Sequence, residues 1–250
     1  MARAPTGESS IARAARIIAA FTAGETSLTV TEIARRTGLH IATASRLIAE
    51  LTTHGLLARG PVREVRVGVR LWELAARASP TTSLRDAAMP YLEDLHAVVG
   101  HHAQLSVLDG DDVLFVERLS ARDAVINYSQ IAGRLPVHLS SSGHVLLAYA
   151  PAEARERVLR RPMRRSTAAT ITTPDGLERA WAAVRRQGYA LLPGHVHEDA
   201  TGIAVPVRDA LNDVVAALSI IVPNDDHAHA GIPALLAAAR GVTRTLSGRR

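Results

Sequence analysis

His195 and His197 stand one residue apart and are followed by Glu198 and Asp199. Alternate residues on a strand share a face and imidazole is a common metal ligand, so the group invites a metal reading. Against it, Pro193-Gly194 predicts a loop, and no second cluster in the sequence has matching ligand spacing. The expectation is therefore ligand contact or rim polarity, with no metal and no cofactor. The other candidate group is Ser140-Ser141-Ser142-Gly143-His144. A serine-rich helix start offers free backbone N–H groups and a positive dipole end, which suits a carboxylate or similar acceptor. The alternative is that Ser141 and Ser142 only cap their own helix.

A hydrolase built on Ser141 or Ser142 with a histidine, or on His195 and His197 with a metal, is the rival reading. It lacks its usual parts: Leu139 stands where a G-x-S-x-G elbow needs its first glycine, and neither H-E-x-x-H nor a P-loop occurs. With zero cysteines there is no disulfide, cysteine-zinc site or thiol nucleophile. No enzyme is expected. His101-His102 and His227-x-His229 read as surface or loop residues without a role.

A third kind of chemistry is carried by arginine. Residues 1–78 hold eleven arginines against six acidic residues, and all of the net charge of +5 lies there. Arginine forks onto phosphate or guanine, so a polyanion-binding front end follows. Thr29 and Glu32 form a capping box for one short helix that closes at Gly38, and HIATASRLIAEL starts the next after only Gly38-Leu39-His40. Two helices so joined are a helix-turn-helix signature. The N-terminal residues of the second helix point at base edges: His40, Ile41, Thr43, Ala44, Ser45 and Arg46, with Ile41 or Ala44 suited to a thymine methyl. Arg35 and Arg36 on the first helix are expected to clamp phosphates. For Arg46 the alternative is pairing with Glu50 four residues on. LLAR, Gly60-Pro61 and REVRVG predict a hairpin whose Arg59, Arg63 and Arg66 flank the helix on DNA.

These residues need elements to hold them. SSIARAARIIAAF predicts a helix burying Ile11, Ala15, Ile18 and Phe21, ended by the Ala23-Gly24-Glu25 break. GVRLWELAARASP predicts a linker helix through Val69, Trp72, Leu74 and Ala76, ended by Ser79-Pro80-Thr81-Thr82. The domain reading is 1–68 winged helix-turn-helix, 69–82 linker and boundary, and 83–250 effector-binding domain. Downstream, a helix with Leu84, Ala88, Leu92, Leu95 and Val99 on one stripe contains Pro90, expected to kink or restart it. A hairpin around Asp109-Gly110-Asp111 follows. AVINYSQ predicts a third strand, SSSGHVLLAYA, PAEARERVLR and TPDGLERAWAAVRRQG predict helices (the last two with proline at the first position), and YALLP, TGIAVPV and DVVAALSIIVP predict strands before a terminal helix. The fold class is α+β in two domains. The N-terminal stretch, interrupted by arginines, is not a secretory signal, and no apolar run approaches the roughly 20 residues that span a bilayer, so a cytoplasmic protein is expected.

TVTEIARRTGLHIATASRLIAEL, GRLPVHLSSSGHVLLAYA and QGYALLPGHVHEDATGIAVPVRDALNDVVAALSI together resemble the isocitrate-lyase-regulator (IclR) family of bacterial transcription factors over nearly the whole chain. The resemblance implies an N-terminal winged helix, a linker helix and a C-terminal α/β effector domain resembling GAF or profilin folds. It implies homodimers, often paired into homotetramers, on palindromic double-stranded operators, and effector contacts at Leu135, Ser141, Ser142, Gly202 and Ser219. The chain departs from the family pattern at Gly194-His195, where an acidic pair is frequent, at Asp199 for glycine, at His144 for lysine and at Val65 for an aromatic wing residue. The altered rim, with His195 on it, points to an aromatic acid or amide as the effector of a repressor, rather than a small keto acid.

Overall fold

The computed structural model describes residues 8–22, 24–78 and 80–248. Residues 1–7, Ala23 of the first break and Ser79 of the second lie outside them. The chain divides into two compact units, residues 1–82 and 83–250.

The first unit holds α1 (Ser10–Ala19), β1 (Leu28–Thr29), α2 (Val30–Thr37), α3 (Ile41–Thr53), β2 (Leu57–Arg59), β3 (Glu64–Val67) and α4 (Val69–Ala78). β3 lies between β1 and β2, antiparallel to both. α1 uses a different stripe from the one expected: Ile17 and Ala20 are buried, with Ala14, Ile18 and Phe21 packed beside them, while Ile11 and Ala15 face outward. Ile17 and Ile18 are adjacent, so two stripes of three-to-four spacing are open to this helix, and contact with α2 and α3 selects between them. The core joins Ile17 to Ile33, Ile48, Leu57 and Val65. α4 leaves Val69, Trp72 and Leu74 exposed, Trp72 at 70%.

The second unit is a six-stranded antiparallel sheet in the order β6-β5-β4-β9-β8-β7. Its elements are α5 (Pro80–Val99), β4 (His102–Asp109), β5 (Asp112–Leu119), β6 (Arg134–Pro136), α6 (Ser141–Tyr149), α7 (Ala152–Leu159), α8 (Pro174–Gln187), β7 (Ala190–Pro193), β8 (Ala200–Arg208), β9 (Val214–Pro223), a 3₁₀ turn (Ala228–Gly231) and α9 (Ile232–Ser247). Strand alternation sorts the side chains onto two faces. Leu105, Ile203, Val205, Leu218 and Ile220 pack with α5 and α9, and Ala204 and Ala217 pack with α6 and α8. α5 runs as one helix through Pro90, because Leu84, Ala88, Leu92 and Leu95 are all buried against the sheet and their packing outweighs the proline.

AVINYSQ is not a strand; it lies in the irregular stretch between β5 and β6. Side chains replace a ladder there. His102 Nε2 binds the Val125 carbonyl at 2.6 Å and Arg118 binds that of Ser129. His102 is thus a buried tie between β4 and this loop rather than a surface residue. In α7 the proline, Pro151, sits one position earlier than expected, at the N-cap.

Candidate nucleic-acid interface and ligand cavity

The helix-turn-helix is closed by local chemistry. Thr29 Oγ1 accepts from the Glu32 N–H at 3.2 Å and Glu32 accepts from the Thr29 N–H at 2.7 Å, so the capping box is formed at both ends. α2 ends on Gly38 in the left-handed conformation, and His40 caps α3 by accepting from the Ala42 N–H at 3.4 Å. His40, Ile41, Ser45 and Arg46 are exposed at the start of α3, and Thr43 is half-buried. Ala44 is fully buried in the core, so it belongs to packing and not to base contact. The outward stripe of α3 runs 42, 45, 46, 49, and its two small residues, Ala42 and Ala49, went unnoticed in the sequence. Helical spacing from Ser45 and Arg46 was the available signal.

The arginines divide into bound and open ones. Arg36 is engaged by Glu25, with contacts of 2.5 and 2.6 Å, and by the Ala20 carbonyl at 3.0 Å, so it fastens α2 to the segment after α1 instead of standing ready for a phosphate. The Arg36 contact, with help from Thr22, holds the Glu25 carboxyl down at about 2 from an ordinary 4.5. Arg35 is exposed, and Arg46 lies 3.7 Å from Glu50, with both side chains largely in solvent. Arg59, Arg63 and Arg66 are exposed on the wing, Arg66 paired with Glu64 at 2.9 Å. The wing turn is closed by the Glu64 N–H donating to the Pro61 carbonyl, and its two central residues, Val62 and Arg63, both have positive φ (54° and 60°).

In the second unit the α6 N-terminus meets the ends of β4, β8 and β9 around a cavity with about 520 Å³ of empty space, its open mouth included. Gly143 permits this: a Cβ there would lie 2.1 Å from the Val137 carbonyl oxygen. Gly202 lets β8 approach α6 less tightly, since its Cβ would meet Ser141 Oγ at 3.0 Å. Ser140 caps α6 by accepting from the Gly143 N–H at 3.0 Å. The N–H groups of Ser141 and Ser142 then open the helix where no intrahelical partner exists. Leu135, Ser141, Ser142, His195 and Gly202 all line the cavity. Ser219 lies one layer behind the wall, fully buried, and receives the Ser142 hydroxyl at 3.1 Å.

Ser219 leads to residues that sequence reasoning missed. Its hydroxyl donates to Gln104 Oε1 at 3.3 Å, the Gln104 amide donates to Ser129 Oγ, and Ser129 Oγ donates to Asn127 Oδ1 at 2.8 Å. This chain of bonds joins α6 to the loop between β5 and β6. A glutamine amid the apolar strand HAQLSVL was the signal for it. Ile126 and Tyr128 of the same loop line the mouth, where the Tyr128 and His197 rings stand 6.1 Å apart. Residues 194–199 form a loop, so His195 and His197 do not share a strand face. Among the described residues, no group of three or more histidine or acidic side chains is arranged to hold a metal ion.

Two histidines near the cavity, His144 and His195, are held toward the neutral form. Burial pushes His144 down to about 4 from 6.5, against an opposing bond to the His138 carbonyl. Burial likewise lowers His195, with the nearby Pro193 carbonyl pulling the other way. The two rings meet edge to face with centroids 6.0 Å apart. His144 Nε2 is taken by the His138 carbonyl at 3.1 Å and His195 Nε2 by the Ile171 N–H at 3.4 Å. Among the described residues neither ring bonds Ser141 or Ser142, so the serine-histidine pairing that a hydrolase requires is not assembled. Among the described residues, no Lys, Arg, Asp or Glu side chain lines the cavity.

The sequence profile of the IclR helix-turn-helix domain matches residues 10–61, and that of the bacterial transcriptional regulator IclR C-terminal domain matches 77–248. The HTH-type transcriptional regulator XynR of Escherichia coli (strain K12) is 32% identical over 213 residues, 84% of each chain. The Pca regulon regulatory protein of Pseudomonas putida is 29% identical over 251 residues, 98% of this chain and 86% of that one. Among solved structures, an IclR homolog complexed with 4-hydroxybenzoate, from Microbacterium hydrocarbonoxydans, is similar at a TM-score of 0.91 and 43% identity, covering 95% of this chain and 99% of that one. The two profiles together match most of the chain and the relatives align along most of its length, so the chain belongs to the IclR family of transcriptional regulators.

Proposed function

We propose that the chain is a cytoplasmic repressor that releases its operator on binding an aromatic carboxylate of the 4-hydroxybenzoate type, and that it catalyses no reaction. In this reading residues 1–68 hold the operator, 69–82 transmit the signal and 83–250 take the effector. The operator is a palindrome read by a homodimer, which can pair into a homotetramer. The exposed Val69 and Trp72, three residues apart on one face of α4, support self-association, since apolar side chains left in water favour burial. The reading of the interface rests on Arg35, His40, Ile41, Ser45, Arg46 and the wing arginines.

The observation that carries the effector assignment is the uncharged cavity beneath the α6 N-terminus. Free N–H groups and a helix dipole take a carboxylate, and the apolar walls of Phe115, Leu135 and Leu139 take a ring. The relative solved with 4-hydroxybenzoate supports the same ligand class. Effector binding can shift the winged helices only through differential affinity for two arrangements of the dimer. The test is 4-hydroxybenzoate added to the full chain, with and without operator DNA. At 100 times its dissociation constant the ligand is expected to add about 2.7 kcal/mol of stability and to lower operator affinity in fluorescence anisotropy. An unchanged melting temperature would overturn the effector class, and tighter operator binding would overturn the repressor.

A further inference from the structure

Two adjacent residues of β5 serve opposite faces of the sheet. Gln104 lines the cavity and Leu105 packs with α5 and α9, and their cross-strand partners are Arg118 and Glu117 in that order. Arg118 therefore lies on the cavity face and Glu117 on the helix face. On the cavity face Arg118 donates to the Ser129 carbonyl. On the helix face Glu117 accepts from Arg85 Nε at 2.6 Å, in the second turn of α5. The other Glu117 oxygen accepts from the Arg118 N–H at 2.9 Å, so the two contacts are joined at the strand itself. Glu117 is only 6% exposed. A buried ion pair adds little stability over apolar packing, and Leu105 and Leu218 fill the same face without one. What the charged pair supplies is a bond of fixed direction between β5 and α5.

The loop that Arg118 holds has few other ties. Among the described residues, no backbone–backbone hydrogen bond joins residues 120–130 to the sheet. Side chains do so instead: His102 holds Val125, and Gln104 and Arg118 hold Ser129. Ile126, Asn127, Tyr128 and Ser129 all line the cavity, with Ile126 and Tyr128 53% and 57% exposed. A ring entering the cavity meets these side chains, and withdrawing Ile126 and Tyr128 from water favours one loop position over another. We propose that Arg118 and Glu117 carry occupancy of the cavity through the sheet, from this loop to Arg85 near the start of α5. α5 is the element by which the chain enters the second unit. Arg85, Glu117 and Arg118 are thus positioning residues: none lines the cavity, and each acts through the bond to the next. The proposal rests on the effector reading above and adds the route by which occupancy leaves the cavity.

The test is a coupling factor, the operator affinity of the full chain in fluorescence anisotropy without 4-hydroxybenzoate divided by that at saturating 4-hydroxybenzoate. Such factors lie at roughly 5- to 150-fold. Arg85→Met and Glu117→Gln are each expected to lower the factor by roughly 3- to 10-fold, with affinity for operator alone and for ligand alone within about threefold of the wild type. The double variant is expected to lose no more than either single one, because both break one bond. Arg85→Lys, which keeps the charge, should retain most of the factor. Asp111→Asn is the control: it removes the contacts of Arg157 and Arg161 with the turn between β4 and β5, outside the cavity wall. It should lower the melting temperature and leave the factor unchanged. Arg85 is half-exposed, so Arg85→Met decides the matter even where the buried Glu117→Gln fails to fold. A factor unmoved in Arg85→Met, or lowered equally by Asp111→Asn, overturns the coupling while the effector reading survives. A wild-type factor of one overturns the two together.

Discussion

Arg36 and Arg46 look interchangeable in the sequence, since both are arginines of the helix-turn-helix. The structure separates them by what already holds the guanidinium. Arg36 meets Glu25 on both nitrogens, whereas Arg46 sits on the outward stripe of α3 with only a long contact to Glu50. Arg46→Ala is expected to cost about 1–3 kcal/mol of operator affinity and to relax base preference, measured by anisotropy over an operator series. Arg36→Ala is expected to lower the melting temperature and leave base preference unchanged. Its partner reports on pH: the Glu25 carboxyl is held below its unfolded value, so the pair stabilises above pH 4.5 and is lost as pH falls toward 2. The sequence disclosed which arginines belong to the helix-turn-helix. It could not disclose that Arg36 has a prior partner, because Glu25 is 11 residues away and reaches it only once the chain has turned.

His144 makes a second case at this scale. Its folded value of about 4 lies below the unfolded 6.5, so the unfolded chain binds the extra proton between them. Stability is therefore full above pH 6.5 and declines as pH falls to 4; His102 and His195 are shifted the same way. His144→Gln is expected to remove roughly 3 kcal/mol of that decline, read from denaturant melts at pH 7 and pH 4.

Among elements, the wing shows a local rule set aside. Two-residue turns with positive φ at both centres favour Asn-Gly, yet this one holds Val62 and Arg63, the first 90% exposed and β-branched. Nothing packs on Val62 to compensate for its conformation, and its neighbour Arg63 projects from the same tip. Val62→Asn is expected to stabilise the first unit by up to about 1 kcal/mol in denaturant melts and to leave operator affinity within about twofold. The hairpin itself was legible from Gly60-Pro61 between apolar runs. Elements failed to be legible where the backbone is satisfied by side chains. AVINYSQ has strand-like residues, but His102 and Arg118 bind its carbonyls, and such distant partners leave no periodic trace. Pro90 misled for the opposite reason, since four buried apolar residues hold α5 together around it.

At the scale of the whole molecule, alternation along β4, β8 and β9 does what no single motif does. It places Gln104 opposite Ser219 and Gly202 opposite Ile221, so residues from three strands meet beneath α6. The sequence indicated the α6 serines, Leu135, His195 and Gly202 through their segments, and these residues line one cavity. Gln104, Asn127 and Ser129 escaped notice because their meaning is relational: each is ordinary alone and becomes informative as part of a bonded chain across 25 residues. A homodimer in sedimentation velocity, dissociated by Trp72→Glu, is the expected outcome for the exposed Val69 and Trp72 on α4.

The absence of charged side chains from the cavity wall separates the two inputs of such a regulator physically. Contacts between arginine and phosphate release counterions and weaken steeply as salt rises, whereas dipoles buried beneath a helix end lie beyond the reach of mobile ions. Osmotic stress would then loosen the grip on the operator while leaving the threshold for the metabolite where it was.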